Sequence, residues 1–451
     1  MTLTRRFPVL PVAAALVALS LSLAGCRFAD IEAPSVEFSD PGAIITDPMY
    51  APQRVHLTWQ SDPSTTMTVQ WEIDSLEEET YAPRVWFLPD DPAHVITDGD
   101  QVEMLTFDET TWVEGDSSIY NQVTSVAETF YHSAVVEITG LQPDTTYYYR
   151  AGSWADHDAE AGEFVEPNVS SIHSFRTAVA KGPDASFSFV AAGDSRGGYE
   201  RIEEHIDRFA ALDVSHWLFS GDFNQTGSQD EWVAWFDTMA PVVSDTPFLP
   251  VQGNHEDYYS VYYNQWAVPV MDGLPDGYEE YAWSVDIGNT HFIGLNSISE
   301  AIVQGQLAWL EQDLAAASAD PDIVWTVVQF HHPAYSSCSS HGSTDRVQEY
   351  FVPLFEQYDV DLTFSGHDHN YERTFPVRGG QVVSPGEGVV HMVVGAFFSP
   401  GYSNGNDWFT ATSTHGDNRC YAVLEVNGTQ INSVSYSGDG TQILDEFSLS
   451  K

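Results

Sequence analysis

The sequence predicts two folded domains, an all-β sandwich followed by a larger α/β domain. Three observations lead to this fold class. Short alternating strands with frequent turn residues fill the first part of the chain, and apolar strands alternate with helical stretches after it. The length of 451 residues exceeds that of one typical domain, and 43% of the residues are apolar, which is ample for two packed cores.

The first 26 residues have the pattern of a signal sequence and are left out of the predicted fold. Arg5 and Arg6 precede an apolar run, which ends in Leu-Ala-Gly-Cys with Cys26 as its last residue. This pattern resembles the bacterial lipoprotein signal, which implies cleavage before Cys26 and lipidation of that cysteine. A plain secretory signal with an incidental cysteine is the alternative.

Residues 27–50 are polar, contain proline and lack periodicity, so we expect a tether between the lipid and the fold. The lipoprotein pattern predicts a place outside the cytoplasm, with the lipid as the only contact with a bacterial membrane. Because arginine rather than aspartate follows the cysteine, the outer membrane or the cell surface is favoured.

Residues 51–180 are predicted to form the sandwich. Runs such as RVHLTWQ and TMTVQWEI are separated by Pro, Asp, Gly and Ser, which is typical of short antiparallel strands joined by turns. The run LQPDTTYYYRAG resembles part of a fibronectin type III module. The tetrapeptide KGPD at 181–184 then reads as a linker to the second domain.

Residues 185–451 are predicted to form the α/β domain. Apolar strands such as SFSFVAAGD alternate with helical stretches, which indicates a largely parallel, buried sheet. Further strands after residue 380 would close the domain. The helices are expected near 199–211, 230–239, 304–317 and 345–357.

The charge of the chain limits its partners. With 16 Lys and Arg against 66 Asp and Glu, the formal net charge is −50 at pH 7. Such a surface repels the phosphates of nucleic acids, so a basic groove for a polynucleotide is not expected. An anionic ligand would need a local source of positive charge.

Polar clusters follow five of the predicted strands in the second domain. Ligands of open α/β sheets bind at the carboxyl ends of strands, so we expect these segments to converge on one rim. Burying so many ionisable groups without a cation would be costly. The clusters contain Asp194, Asp222, Asn254 with His255, His331 with His332, and His367 with His369.

The residue types predict two metal ions. Carboxylate and imidazole suit Zn²⁺, Fe and Mn²⁺, and the absence of cysteine pairs argues against a closed structural zinc site. Two Asp, one Asn and three His are too many for one ion, and they suit a pair about 3.5–4 Å apart that shares a carboxylate. The side-chain period of an extended segment directs His367 and His369 to the same side, one for each ion.

The order of these motifs resembles the metallophosphoesterase (calcineurin-like) superfamily, and in particular its purple acid phosphatase-like branch. The similar segments are GD, GD, GNHE, HHPAYSS and GHDHNYERT in the second domain, with DEFSL near the end of the chain. PQRVHLTW and YHSAVVEITGLQPDTTYYYRAG resemble the fibronectin type III-like N-terminal domain of plant-type members. The resemblance implies a catalytic β-sandwich flanked by helices, in α/β/β/α layers, after the all-β sandwich.

The resemblance also implies roles for single residues. His255 takes the position of a phosphate-contacting histidine, and His341 stands near that of the leaving-group histidine. Glu256 and Asp368 are expected to orient imidazoles, and His332 to have a structural or supporting role. The implied metal ligands are Asp194 and His369 for the first ion, Asp222 as the bridge, and Asn254, His331 and His367 for the second.

Two positions depart from the pattern of the family. The purple enzymes carry tyrosine where this chain has Gln225, which removes the source of their colour and leaves a preference for ferric iron in doubt. Arg196 stands where the wider superfamily often has a metal-binding histidine, and a guanidinium could instead hold a phosphate oxygen or pair with a carboxylate. Water, or Gln225 through its carbonyl, could complete the first site.

The predicted function is therefore that of an extracytoplasmic phosphoesterase with a dinuclear centre. It would hydrolyse small phosphate monoesters, as acid phosphatases do, by in-line attack of a metal-bound hydroxide. A phosphodiesterase on the same fold is the alternative, which the loop His255–Trp266 would help to decide. A surface binding lipoprotein with a degenerate metal site is the third reading. Cys338 and Cys420 are also candidates for a disulfide worth about 4 kcal/mol.

Overall fold

The computed structural model describes residues 36–38, 51–75, 81–90, 95–98, 101–107, 112–123, 128–155, 168–256, 261–414 and 419–451. All of them belong to one compact unit, Val36–Lys451. The predicted signal sequence with Cys26, most of the predicted tether, and residues 257–260 of the predicted rim loop lie outside the described residues. In the described part of the chain, no helix has the length and apolar character needed to cross a bilayer.

The N-terminal domain is a sandwich of antiparallel sheets, as the sequence predicts. Its main sheets have the strand orders β2-β3-β9-β8 and β11-β10-β4-β7, with β12 also paired to β10, and a third, small sheet has the order β1-β6-β5. Strand β1 falls inside the segment that was expected to be a tether. The strands are β1 Val36–Phe38, β2 Gln53–Thr58, β3 Thr66–Ser75, β4 Tyr81–Pro89, β5 Val95–Asp98, β6 Gln101–Phe107, β7 Trp112–Glu114, β8 Asp116–Val123, β9 Glu128–Thr139, β10 Thr146–Ala155, β11 Asn168–Val169 and β12 His173–Arg176.

The second domain contains the remaining strands and all the described helices. The strands are β13 Ser186–Ala192, β14 His216–Phe219, β15 Phe248–Pro250, β16 Ala282–Ile287, β17 Thr290–Leu295, β18 Trp325–Gln329, β19 Leu362–Ser365, β20 Tyr371–Thr374, β21 Val377–Arg378, β22 Gln381–Val382, β23 Val390–Val394, β24 Thr410–Ser413, β25 Cys420–Asn427, β26 Gln430–Ser437 and β27 Ile443–Ser450. The helices are α1 Tyr199–Glu203, α2 Ile206–Ala210, α3 Gln229–Val243, α4 Tyr262–Gln265, α5 Glu300–Ala319, α6 Asp345–Tyr350 and α7 Val352–Gln357.

The parallel strands of this domain are divided between two mixed sheets. One has the order β15-β14-β13-β25-β26-β27, and the other has the order β16-β17-β18-β19-β23-β20-β24. The expectation of one largely parallel sheet is wrong, because antiparallel strands from the end of the chain complete the first sheet beside β13. Strands β17, β18, β19 and β23 form a parallel core in the second sheet.

The two sheets pack face to face and each carries helices on its outer side. The ring of Phe189 on β13 lies 5.2 Å from that of Phe292 on β17, centroid to centroid. On the outer side of the first sheet, Trp235 of α3 lies 6.0 Å from Phe248 of β15. Helices α5 to α7 share a second apolar cluster with β17 and β18. This arrangement confirms the α/β/β/α layers.

Two predicted helices are interrupted in the structure. The stretch 199–211 forms the short helices α1 and α2, and the stretch 345–357 forms α6 and α7. Pro353 lies at the start of α7, where it lacks the N–H that a continuous helix would need, so the chain begins a new helix there. Helix α4 was not predicted.

The N-terminal sandwich contacts the helices of the second domain through buried polar groups. The carboxylate of Glu72 on β3 accepts hydrogen bonds from Gln229 of α3, at 3.0 and 3.1 Å, and from Gln265 of α4, at 2.8 Å. The hydroxyl of Tyr149 donates to the carbonyl of Ser244, 2.6 Å away. Because α3 follows the loop that contains Asp222, the sandwich supports the region of the predicted metal site.

Cys338 and Cys420 are buried free thiols, so the possible disulfide is not formed. The Cys420 thiol donates to the carbonyl of Asn370, and the Cys338 sulfur accepts from the backbone N–H of Ser340. Burial raises the pKa of Cys338 to about 11 and that of Cys420 to about 12, which keeps both thiols protonated.

Candidate metal centre

The six predicted metal ligands come together where the two sheets of the second domain meet. Each ligand follows a strand directly or within a few residues, as expected for side chains at carboxyl ends of strands. The expected single rim is a seam between two sheets, and the donor types divide along it. Asp194, Asp222 and Asn254 follow strands of the first sheet and offer oxygen, whereas His331, His367 and His369 follow strands of the second and offer nitrogen.

One group of ligand atoms comprises Asp194, Asp222 and His369. Each offers an atom within 4.8 Å of the others, and all three side chains are buried. The Nδ1–H of His369 donates to the carbonyl of Pro400 at 2.9 Å, so its Nε2 presents a lone pair to Asp194 Oδ1 at 3.4 Å. Burial, and then the charge of Asp222, raise the pKa of Asp194, which a bound cation would counteract.

A second group comprises Asn254, His331 and His367, and it shares Asp222 with the first. Asn254 Oδ1 lies 3.0 Å from His331 Nε2 and 2.8 Å from His367 Nδ1. His331 Nε2 also lies 3.3 Å from Asp222 Oδ1. Asp222 therefore borders both groups, which is the position that a bridging carboxylate requires.

The contacts of His331 test whether these residues suit a cation. Its Nδ1–H donates to the carbonyl of Ser220 at 2.7 Å, and burial lowers its pKa to about 3, so Nε2 carries no hydrogen. The lone pair of Nε2 therefore faces the amide oxygen of Asn254 and the carboxylate of Asp222. Acceptors this close repel one another unless they share a cation, so the donor set fits a metal site.

The backbone at three ligands lies in the left-handed region. The φ angles are 61° at Asp194, 54° at Asp222 and 68° at His367, which costs about 1–3 kcal/mol at each residue other than glycine. Such strain is common at functional sites, because it directs side chains away from the course of the strand. Three of the six predicted ligands thus have this strained backbone conformation.

Glycines before the ligands allow the loops to approach closely. A Cβ at Gly366 would lie 2.1 Å from Asp194 Oδ2, and a Cβ at Gly253 would lie 2.2 Å from the backbone nitrogen of Asp222. Both distances are far below van der Waals contact. In the sequence these glycines are only parts of motifs, whereas the structure shows that they set the spacing of the ligands.

Glu256 supports the loops and does not face the ligand groups as a free carboxylate. It accepts backbone hydrogen bonds from Asp222 and Gly253, both at 2.9 Å, and from Asn224 at 3.3 Å. Burial and the charge of Asp222 raise its pKa to about 8. Glu256 therefore ties the loop after β14 to the loop after β15.

Arg196 and His255 lie together inside the site. The Arg196 guanidinium contacts His255 Nε2, donates to His369 Nε2 at 3.1 and 3.3 Å, and lies 3.8 Å from Asp222 Oδ2. Gln225 contacts His255 through its backbone carbonyl at 2.5 Å and its side-chain nitrogen at 3.4 Å. The structure thus places Gln225 beside His255, and its role as a ligand stays a prediction.

His341 and His332 flank the ring of His367. The ring centroid of His341 lies 4.3 Å from that of His367, and that of His332 lies 4.4 Å from it. Asp368 holds the loop of His341, through His341 Nδ1 at 3.2 Å and the N–H of Gly342 at 3.1 Å. The side chain of His341 is 43% exposed, so solvent and a ligand can reach it.

Tyr402 belongs to the site but was not predicted. Its ring stacks on that of His369, with centroids 4.2 Å apart and planes inclined by 6°. Its hydroxyl accepts from Arg196 Nη2 at 3.0 Å, and its backbone N–H donates to the carbonyl of His369 at 2.7 Å. Tyr402 lies in a loop rich in glycine and serine, where the sequence has no periodicity or motif that would single it out.

Comparison with known families separates the chain into the same two parts. The family described as Calcineurin-like phosphoesterase matches residues 187–371. The family described as Purple acid Phosphatase, N-terminal domain, matches residues 52–177. The first match includes all six predicted metal ligands, together with Arg196, His255 and His341.

Individual relatives are similar over part of their length. An uncharacterized protein of Mycobacterium tuberculosis (strain H37Rv) is 29% identical over 305 residues, 57% of this chain and 56% of that protein. Purple acid phosphatase 18 of Arabidopsis thaliana is 28% identical over 297 residues, 62% of this chain and 61% of that protein. Phosphoenolpyruvate phosphatase of Allium cepa is 26% identical over 369 residues, 77% and 67% of the two chains. The chain therefore spans less than two thirds of the first two relatives.

Solved structures share the fold. The purple acid phosphatase PPD1 from yellow lupin (Lupinus luteus) seeds has a TM-score of 0.71 at 17% identity, covering 89% of this chain and 74% of that chain. PhoD has a TM-score of 0.57 at 13% identity, covering 89% and 93%. The chain thus joins a purple acid phosphatase N-terminal domain to a calcineurin-like phosphoesterase domain, as the resemblance of its motifs implied.

Proposed function

We propose that this chain is a dinuclear-metal phosphoesterase that hydrolyses phosphate monoesters. The observation that carries the proposal is the pair of ligand groups that share the buried Asp222 and bring acceptors within 3.0 to 3.4 Å of one another. Names of the relatives support the reaction type, since they include purple acid phosphatases and a phosphoenolpyruvate phosphatase.

The two groups would hold iron, zinc or manganese. The first ion would be held by Asp194 and His369, the second by Asn254, His331 and His367, and both by Asp222. When bound, such ions supply positive charge for the phosphoryl oxygens and lower the pKa of water. The ions would also provide the local attraction for an anionic substrate that the net charge of −50 does not.

Arg196 and His255 are the proposed contacts of the phosphoryl group. The planar guanidinium of Arg196 can donate two parallel hydrogen bonds to phosphate oxygens, and Tyr402 fixes its orientation through the 3.0 Å hydrogen bond. His255 touches the same guanidinium, so the two side chains present donors on one side of the ligand groups.

His341 is the proposed donor of a proton to the departing alkoxide. Asp368 accepts from Nδ1 of His341, which leaves Nε2 to hold and release the transferred proton. The partial exposure of the ring suits this task, because the leaving group must depart to solvent from the same side.

The test of the proposal combines metal content with turnover. The full chain, loaded with metal and then stripped with a chelator, is assayed on p-nitrophenyl phosphate and on bis(p-nitrophenyl) phosphate. We expect two equivalents of metal, a preference for the monoester, and loss of turnover on stripping that returning the metal restores. Full activity of the stripped protein would contradict the mechanism, and a preference for the diester would favour a phosphodiesterase.

Asp222→Asn is the matching variant. Because Asp222 borders both ligand groups, we expect fewer than two equivalents of metal and a loss of kcat/KM of at least about 100-fold. Glu311→Gln, on the exposed face of α5, makes the same chemical change away from the site and serves as control. Low metal content without turnover in the wild-type chain would instead support the surface binding lipoprotein.

We also propose that the protein is extracytoplasmic and lipid-anchored at Cys26. The support is the sequence pattern of the first 26 residues. In a bacterial host, wild-type chain should fractionate with the membrane and carry a lipid-modified N-terminal cysteine by mass spectrometry. Cys26→Ala should abolish the modification, and an unmodified wild-type chain would overturn this proposal.

A further inference from the structure

A cavity of about 490 Å³ is lined by residues that neighbour the metal centre in the chain or contact one of its ligands. One wall is the segment 197–201, which directly follows Arg196, and the opposite wall contains Phe398, Pro400 and Arg419. The walls and the metal centre share residues, because the carbonyl of Pro400 accepts the Nδ1–H of His369 at 2.9 Å. The cavity therefore borders the segment that follows Arg196 and the loop that holds His369.

The charges that line the cavity are opposite to those of the chain as a whole. Among the described residues, Arg201 and Arg419 line it, against one carboxylate, that of Glu200. In the chain, acidic residues outnumber Lys and Arg by 66 to 16. Two guanidinium groups facing one cavity are thus an exception that composition does not explain.

Arg201 also differs from most cations of the described residues. Arg84, Arg176, Arg373 and Arg378, for example, each lie within 4 Å of a carboxylate, whereas Arg201 forms no ion pair with a described residue. A guanidinium without a carboxylate partner keeps its donors available for an external anion.

The opposite wall is held in a fixed position. Nε of Arg419 donates to the carbonyl of Phe398 at 3.2 Å, which ties this arginine to the wall. A Cβ at Gly198 would lie 2.6 Å from Cβ of Phe398, so only glycine allows the two walls to approach this closely at the base of the cavity.

We propose that this cavity binds a second anionic group of the substrate, a carboxylate or a second phosphoryl group. The preferred substrates would then be phosphate monoesters whose leaving group carries another negative charge. This inference rests on the proposed function. The scissile phosphoryl group lies at Arg196, and the second anion lies between Arg201 and Arg419.

Binding of stable phosphonates tests the cavity without any need for turnover. The metal-loaded full chain is titrated calorimetrically with 4-carboxybenzylphosphonate, 4-phosphonobenzylphosphonate and the uncharged isostere 4-carbamoylbenzylphosphonate. We expect Kd to be at least 10-fold lower for one or both of the charged compounds than for the carbamoyl compound. The arm that shows the difference identifies carboxylate or phosphoryl as the second group, and equal Kd values for all three would overturn the proposal.

Arg201→Gln should reduce the difference in Kd between the charged compounds and the carbamoyl compound to less than about 3-fold. The Kd of the carbamoyl compound itself should stay unchanged. Arg208→Gln is the matched control, because Arg208 is also exposed and donates to a carbonyl, that of Gly440, but does not line the cavity. Retention of the full difference in Arg201→Gln would contradict the assignment.

Hydrolysis of the corresponding aryl phosphates separates this proposal from the proposed function. If the carbamoyl ester is hydrolysed with the same kcat/KM as the charged esters, the proposed role of the cavity is wrong and the proposed phosphatase activity is retained. If binding of the charged phosphonates depends on Arg201 but the chain hydrolyses none of the esters, the role of the cavity is supported and the proposed phosphatase activity is wrong.

Discussion

At the scale of single residues, the metal centre depends on imidazole rings that are held in place by a hydrogen bond from the nitrogen that does not face the site. Carbonyls of Ser220 and Pro400 hold one ring nitrogen of His331 and of His369, so the other nitrogen of each ring is committed to the site. Burial lowers the pKa of both imidazoles to about 3, which keeps them neutral and able to act as ligands.

Tyr402→Phe tests the orientation of Arg196. The variant keeps the ring that stacks on His369 but removes the hydroxyl that accepts from Arg196 Nη2. We expect kcat/KM on p-nitrophenyl phosphate to fall about 10-fold, the equivalent of about 1.4 kcal/mol, while the metal content stays at the wild-type value. Steady-state kinetics and elemental analysis of the same preparation measure the two quantities.

Tyr350→Phe is the matched control for this experiment, since the Tyr350 hydroxyl donates to Glu300 at the exposed surface of α6. Tyr402→Leu, which also removes the stacked ring, should lower kcat/KM further. A Tyr402→Phe variant with wild-type kcat/KM would show that the hydroxyl has no part in positioning Arg196.

The sequence was sufficient for residues that carry a motif and insufficient for those that act through position alone. Asp222 and His331 stand in motifs after apolar strands, and the structure brings both to the same place. Tyr402 reaches the site only because the chain folds back after β23, and no local pattern reports such a contact. The need for glycine at position 366 is likewise apparent only in the structure, where the side chain of Asp194 lies against it.

At the scale of elements, strand content was predictable and strand pairing was not. Apolar runs mark β13, β14, β18 and β19, but which sheet each strand joins depends on partners far along the chain. Strand β13 pairs antiparallel with β25, more than two hundred residues later, and this long-range pairing makes the first sheet mixed and not largely parallel. Helix breaks such as the one at Pro353 depend on local chemistry, and the prediction there overlooked a signal that the sequence does contain.

A charged network joins the linker to the edge of the second sheet. His291 on β17 lies 2.6 Å from Asp286 on β16 and 2.9 Å from Asp313 on α5. Lys181 of the linker donates to the same Asp286 at 2.6 Å and to Asp320 at 2.7 Å. Burial disfavours the charged imidazole, but the two carboxylates outweigh it and raise the pKa of His291 to about 9.

His291→Gln should change how stability depends on pH. Because the pKa of His291 is raised in the folded state, its contribution is fully present below pH 6.5 and is lost as the pH rises to about 9. The raised pKa corresponds to at most about 3 kcal/mol. Thermal unfolding at pH 6, 7.5 and 9 should therefore show a smaller decline for the variant than for the wild-type chain.

His173→Gln, in the N-terminal sandwich, makes the same chemical change outside the network and is the control. Groups outside the network are the same in all three proteins, so the difference between variant and wild type reports the contribution of His291 together with its partners Asp286 and Asp313. If Tm of His291→Gln falls between pH 6.5 and 9 as steeply as Tm of the wild-type chain, this network is not the cause of the decline in stability.

At the scale of the whole molecule, the net charge of −50 dominates the energetics of the surface. Like charges on a compact surface repel one another, and unfolding relieves the repulsion. Basic residues are few, so ion pairs such as Lys451 with Asp361 can offset only a small part of it. The stability of the fold is thus tied to the ionic strength around it.

Salt should therefore stabilise the protein. Raising NaCl from 20 mM to 1 M shortens the screening length from tens of Å to about 3 Å, so we expect Tm to rise by about 5 °C or more. Scanning calorimetry measures the change, and sucrose of equal osmolality controls for the effect of solute alone. A constant or falling Tm across the salt series, with sucrose behaving normally, would contradict the electrostatic explanation.

The division of donor atoms between the two sheets has a consequence for assembly of the protein. One sheet brings only oxygen and the other only nitrogen, and the oxygen-bearing sheet is complete only once β25 to β27 have been added from the end of the chain. Either sheet alone can thus offer an ion one kind of donor, and the mixed set exists only where the two sheets pack together. We therefore expect the complete metal site to form only after the two sheets have packed against each other.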